Sequence, residues 1–173
     1  YREYLKSELG AAAIYSVLAE AERDAGRADV FEGLVQAEMR HAARWAEKLG
    51  IDTDSLEPKG ASLKLLLVRW TARSFGINRI LPILVREEAK EIGAYASDPE
   101  AQDIAREERQ HARVLRGLAD GRDPSGIARA TATGTGGRLR AAVLGVNDGL
   151  VSNFSLVMGV AGGTGAALGT ESA

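Results

Sequence analysis

Each of four segments in this 173-residue chain carries a glutamate on the stripe where its apolar residues recur, and two of the four add a histidine. The stripes are Tyr4, Glu8, Ala11, Tyr15, Leu18; then Leu34, Glu38, His41, Trp45; then Leu81, Leu84, Glu88, Glu91, Tyr95; and last Ile104, Glu108, His111, Leu115, Leu118. Steps of three and four residues place each series on one face of a helix. A carboxylate buried without a partner costs several kcal/mol or takes up a proton. A chain that turns all these acids inward must give them a counter-charge, and few folds do so.

The only two histidines, His41 and His111, each follow a glutamate by three residues, in Glu38-Met-Arg-His41 and Glu108-Arg-Gln-His111. Four facing helices, two giving a glutamate and two giving Glu-x-x-His, are the ligand pattern of a carboxylate-bridged dinuclear metal site. The candidate ligands are Glu8, Glu38, His41, Glu88, Glu91, Glu108 and His111. Carboxylate oxygens with imidazole nitrogens suit iron, with manganese or zinc as substitutes, better than calcium. The alternative is a set of buried salt bridges with no metal. Glu87 and Glu107 lie one residue off the stripes and are expected to face solvent. Glu22 fits an ion pair at the end of the helices, or an auxiliary metal-entry residue.

Nothing in residues 1–119 reads as strand, so the expected class is all-α. The first helix spans about 2–25. The second starts at a capping box, Asp29-Val-Phe-Glu32, and runs to Leu49 before Gly50. A polar loop covers 50–60, and a connecting helix covers 62–75 up to Gly76. The third helix spans about 78–97, with Pro82 near its first turn. Asp98 and Pro99 supply a cap and a first position for the fourth, 99–119. Four helices with a long connection between the second and third form a bundle of crossover topology.

The composition then changes. Residues 120–136 are a Gly/Ser/Thr/Pro-rich linker, and 137–173 hold an apolar run whose stretch Gly149–Gly169 carries no charge. That run is long enough for one transmembrane helix. Gly145/Gly149 and Gly159/Gly163 are small-residue pairs suited to close helix packing in lipid. Asp148 sits inside the apolar run, where an acid marks an ion pathway; the alternative is a helix cap at the interface. Arg129, Arg138 and Arg140 favour a cytoplasmic N-terminal side. The absence of cysteine excludes disulfides, iron–sulfur clusters and rubredoxin-type centres. A net charge of -2 gives no general reason to expect nucleic acid. The chain opens on Tyr1 and reads as a fragment, with no signal peptide expected, since Arg2, Glu3, Lys6 and Glu8 interrupt any apolar core.

Residues 1–119 resemble the rubrerythrin and erythrin branch of the ferritin-like superfamily. The resemblance rests on Glu8 seven residues before Tyr15, Glu38-x-x-His41, Glu88-x-x-Glu91 and Glu108-x-x-His111. It implies Glu8 and Glu88 or Glu91 as terminal ligands, Glu38 and Glu108 as bridges, one histidine per metal, and Fe(II) oxidised by dioxygen or peroxide. Residues 137–163, with the core Asn147-Asp148-Gly149-Leu150-Val151-Ser152-Asn153-Phe154, resemble the opening of a vacuolar iron transporter family domain. The combination resembles the bacterial membrane-bound ferritins. It implies an inner-membrane protein with a cytoplasmic ferritin-like domain serving iron efflux. Two rivals are a membrane-anchored enzyme that removes peroxide and an iron sensor that gates the transporter. A homodimer is expected, because Leu63–Trp70 carries more apolar surface than one connection needs.

Overall fold

The computed structural model describes residues 1–58 and 62–124. Within them lie five α-helices and no strand: α1 (Arg2–Ala21), α2 (Ala25–Leu49), α3 (Leu63–Phe75), α4 (Leu81–Ala96) and α5 (Gln102–Ala119). Short 3-10 turns occupy Thr53–Ser55 and Ile77–Arg79. Among the described residues no helix is long and apolar enough to cross a membrane. The apolar helix expected at 137–173, Asp148 within it, and the linker beyond Pro124 lie outside the described residues.

Helix ends show where local chemistry differs from the sequence expectation. α1 stops at Ala21 because Glu22 turns extended and its Oε1 accepts from the backbone N–H groups of Arg23 and Asp24. Asp24, rather than Asp29, then caps α2, its Oδ1 accepting from the Arg27 N–H at 2.9 Å. The Asp29–Glu32 pair lies inside the helix, where the first-turn donors are already behind it. α2 ends as expected at Gly50, whose φ of 66° is left-handed. Ser62 caps α3 through Leu65 N. Pro82 falls in the first turn of α4, where no N–H is required. Asp98 does not cap α5. Its Oδ1 accepts from Glu100 N at 2.9 Å and closes a turn containing Pro99, so α5 begins three residues later than expected.

α1 packs along α2, α4 packs along α5, and α3 lies against α1. Buried apolar residues form two clusters. One contains Ile14, Leu18, Phe31, Leu34, Leu81, Leu84, Leu115 and Leu118. The other contains Leu5, Leu9, Trp45, Ala46, Tyr95 and Ile104. Each of α1, α2, α4 and α5 contributes to both; Glu38, Glu88 and Glu108 fall between the two contributions of their helices, and Glu8 lies between Leu5 and Leu9 of the second cluster. α2 and α4 both run from the first cluster to the second, so they point the same way. The connection carrying α3 therefore travels back along the molecule between them.

Arg27 ties several elements together at one end. Its Nε donates to Glu22 at 2.8 Å, one amino group reaches the Leu118 carbonyl at 3.2 Å, and the other reaches Asn78 Oδ1 at 2.8 Å. Glu22 is thus an ion-pair residue, as one of its two sequence readings had it. Charge-assisted hydrogen bonds of this kind contribute about 1.5–3 kcal/mol each when partly buried. Arg27→Ala is expected to lower unfolding free energy by about 2–3 kcal/mol. Arg27→Lys should recover only part, since an ammonium cannot donate in three directions from a planar fork. Urea denaturation followed by circular dichroism measures both; equal stability of all three proteins would show that the contacts are solvated away.

Candidate metal centre

Six ionisable side chains meet between the two apolar clusters: Glu8, Glu38, His41, Glu88, Glu108 and His111, all buried. They arise one helix at a time, Glu8 from α1, Glu38 and His41 from α2, Glu88 from α4, Glu108 and His111 from α5. They form two groups able to hold a metal ion, Glu8/Glu38/His41/Glu108 and Glu38/Glu88/Glu108/His111, whose ligand atoms lie within 4.8 Å of one another in each. Glu38 and Glu108 belong to both groups.

The shared carboxylates present one oxygen to each histidine. His41 Nδ1 lies 3.0 Å from Glu108 Oε1 and 3.6 Å from Glu38 Oε2, with Glu8 Oε2 also at 3.6 Å. His111 Nδ1 lies 3.0 Å from Glu108 Oε2 and 3.0 Å from Glu38 Oε1, with Glu88 Oε2 at 3.8 Å. The two imidazole rings are 5.8 Å apart, centre to centre. Beyond these ion-pair contacts, inward-facing atoms on both sides make no well-formed hydrogen bond among the described residues: Glu8 Oε2, both oxygens of Glu38, His41 Nδ1, Glu88 Oε2 and Glu108 Oε1. Buried polar atoms without partners are rare, and a set aimed at common points fits a ligand that supplies charge. Oxygen donors with one imidazole nitrogen per group fit a divalent transition metal.

The outward oxygens are held by aromatic donors, and the arrangement is reciprocal. Tyr15 on α1 donates to Glu88 Oε1 on α4, while Tyr95 on α4 donates to Glu8 Oε1 on α1. Glu8 also faces the Trp45 Nε1–H at 3.4 Å. In each helix the tyrosine lies seven residues after the glutamate. A signal in the sequence, the repeated seven-residue Glu-to-Tyr spacing, thus encodes a pair of crossed hydrogen bonds.

Two candidates stand differently from their expectation. Glu91 is outside both groups: Ser7 donates to its Oε1 at 2.5 Å, on the wall of a cavity of about 270 Å³ that also exposes Glu88, Tyr15 and Glu87. Glu107 is not simply solvated. Its Oε2 lies 3.2 Å from His41 Nε2, on the ring edge opposite the nitrogen that faces Glu8, Glu38 and Glu108. A glutamate side chain is long enough to reach inward from the edge of a stripe, which residue spacing alone does not reveal. Carboxylates placed this way orient a ligating imidazole and raise its basicity. Glu87 is exposed and pairs with Lys90 at 2.6 Å, as expected.

Without metal, the protons distribute to balance charge. Burial pushes Glu8 well above the usual carboxylate range and Glu88 up to about 11. Burial acts the same way on Glu38 and Glu108, but the neighbouring imidazoles outweigh it and hold both below their ordinary value. Burial opposes charge on His41 and His111; the surrounding carboxylates prevail, and both are raised well above the ordinary histidine value. Tyr15 and Tyr95 are raised, first by burial and then by the nearby carboxylates.

Residues 139–170 match the VIT family, the vacuolar iron transporters. That match covers the tail and not the helices described above. No curated protein and no solved structure matches the chain. The expected likeness of the tail to this family is therefore borne out.

Burial raises Glu91 to about 7, so in the metal-free protein it binds a proton that the unfolded chain releases near 4.5. Its contribution is fully present below pH 4.5 and is lost as pH rises through about 7. Glu91→Gln, which keeps an acceptor for Ser7, should stabilise the metal-free protein at pH 8 by about 1–3 kcal/mol and leave pH 4.5 unchanged. Thermal unfolding in chelator at the two pH values tests this; equal effects at both would place Glu91 in solvent.

Proposed function

We propose that residues 1–119 form a ferritin-like four-helix bundle holding two divalent metal ions, iron first among them, and that this centre serves metal movement across a membrane by a domain beginning in residues 137–173. The observation that carries the reading is the pair of buried ligand groups that share Glu38 and Glu108, with inward oxygens left without a hydrogen bond. Glu38 and Glu108 would be shared between the two ions, with Glu8 and His41 completing one ligand set and Glu88 and His111 the other. Glu91 is a further carboxylate on the cavity side, available to the Glu88 ion. The match of 139–170 to the VIT family supports the transport half.

Bound Fe(II) would give electrons to dioxygen or peroxide, which are reduced as the iron is oxidised to Fe(III). The chain's own residues do the rest. Tyr15 and Tyr95 fix the outer oxygens of Glu88 and Glu8, so the inner oxygens stay aimed at the centre. Glu107 fixes the ring of His41. The apolar clusters flank the ligands at both ends, and the cavity lined by Glu88 and Glu91 reaches them from one side.

Two divalent ions bring four positive charges, and Glu8, Glu38, Glu88 and Glu108 as carboxylates balance them. Loading at pH 7 then displaces the protons held by Glu8, Glu88, His41 and His111. Anaerobic titration with Fe(II) or Mn(II) is expected to saturate near two equivalents, with about four protons released per protein, measured by calorimetry in buffers of different ionisation heat. Saturation at one equivalent or less would sink the dinuclear reading.

Glu108→Ala removes a ligand from both ions, whereas Glu87→Ala removes only a surface pair. The first should lower metal affinity by at least about 100-fold and abolish the ferric absorbance that follows Fe(II) with peroxide; the second should change neither. Wild-type protein that binds Fe(II) but oxidises it no faster than buffer is a sensor or carrier.

Asp148 is the residue proposed for the transport path. In the intact protein in vesicles, Asp148→Asn should preserve insertion and metal binding by the helical domain while cutting iron flux at least about tenfold. Unchanged flux would make Asp148 a helix cap.

A further inference from the structure

α3 has two apolar faces, and only one of them is used. Leu65, Val68 and Ala72 pack inward against the first core cluster. Leu63, Leu66, Leu67 and Trp70 lie on the opposite face, and all four are exposed, Leu63 at 74% and Trp70 at 58%. Phe75, also exposed, continues the patch at the helix end, its ring edge-on to Trp70 at 5.2 Å. Single exposed leucines need no explanation, but a continuous stripe of leucine and aromatic side chains along one helix marks a binding surface.

Charge identifies the occupant. Between Glu57 and Glu87 there is no acid, while Lys59, Lys64, Arg69, Arg73, Arg79 and Arg86 fall in that interval, in a chain whose net charge is -2. Arg69 is spent on Glu20, at 2.8 Å, whereas Lys64 and Arg73 are exposed beside the stripe and form no ion pair among the described residues. On the helix, Arg73 lies to one side of the Leu63–Leu66–Leu67–Trp70 face and Lys64 to the other. Leucine and tryptophan flanked by cations is the composition of a helix that lies in the surface of an anionic bilayer. A second copy of α3 would set these cations against their own kind. A bilayer is also where a chain with a VIT-family segment at 139–170 would be found.

We propose that the outer face of α3 docks on an anionic phospholipid surface, with Leu63, Leu66, Leu67 and Trp70 entering the headgroup boundary and Lys64 and Arg73 meeting lipid phosphates. This holds the helical domain against the membrane by a contact separate from the tail. The proposal does not depend on metal at the centre.

The chain has two tryptophans, and Trp45 is fully buried, so Trp70 reports on the surface alone. The whole chain is bound to vesicles of phosphatidylglycerol and phosphatidylcholine carrying brominated acyl chains, with fewer than one chain per vesicle. Docking removes the Trp70 share of emission, roughly half of the total for an interfacial helix. Pure phosphatidylcholine, 0.5 M salt, or Lys64→Gln with Arg73→Gln should each cut that quenching at least roughly threefold, as loss of surface attraction requires. The lipid and salt arms use the unaltered chain, so they decide the matter even if the double variant folds poorly. Chain that sediments with vesicles but leaves Trp70 unquenched overturns the proposal while leaving a membrane role for the tail. Chain that does not sediment overturns both. Quenching that is independent of lipid charge and salt, or protection of Trp70 that appears only with several chains per vesicle, assigns the face to neutral lipid or to a second copy, and also overturns it.

Discussion

Six ionisable groups buried on the facing stripes of four helices set the terms for everything else in the described fold. Each would be costly alone. Together they are tolerable because two imidazoles and two carboxylates offset one another and Glu8 and Glu88 keep their protons. That compensation needs no metal, so the helices can close around these groups by themselves. It leaves oxygens and nitrogens partnerless at its centre, however, and a buried polar network that is only partly satisfied is a liability in a purely structural core. Buried salt bridges and the capacity to hold a metal ion are therefore two aspects of one arrangement more than competing descriptions.

The two helix pairs repeat each other closely. α1 with α2 supplies Glu8, Tyr15, Glu38 and His41; α4 with α5 supplies Glu88, Tyr95, Glu108 and His111. Each pair's tyrosine secures the other pair's glutamate, so neither half is complete alone. The repeat breaks behind the histidines. Glu107 precedes Glu108 and braces His41, but the residue before Glu38 is Ala37, and His111 Nε2 is buried without a partner among the described residues. Two positions with the same inner ligands thus differ in their outer support, and outer support tunes ligand basicity.

Stripe position was enough to bring Glu8, Glu38, His41, Glu88, Glu108 and His111 together, because on a helix the inward direction is fixed by the same periodicity that defines the core. Reach was not legible. Glu107 starts beside its stripe yet arrives at His41, while Glu91 starts on its stripe yet stops at Ser7, since a glutamate spans several ångströms whichever way it is turned. Helix ends were misplaced for a related reason. Asp24, Asp29 and Asp98 each sit where an aspartate can cap, and the choice among them depends on which backbone the tertiary contacts leave extended. The Arg27 contacts to Asn78 and Leu118 contribute to that choice at the α1–α2 corner, and no local pattern announces them.

The crossover explains why α3 looks unlike its neighbours. Once α2 and α4 must run in the same direction, the chain between them has to return along the outside of the molecule, where only one helix face can be covered. A connection needed solely for that purpose would be polar outside. Instead, the outward face of α3 carries leucine and tryptophan, and the acids common elsewhere are absent for the whole interval from 58 to 86. The topology demands a helix here but does not demand that composition. The composition therefore answers to something outside the described helices, and a surface that is apolar in depth and anionic at its edge satisfies both parts of it.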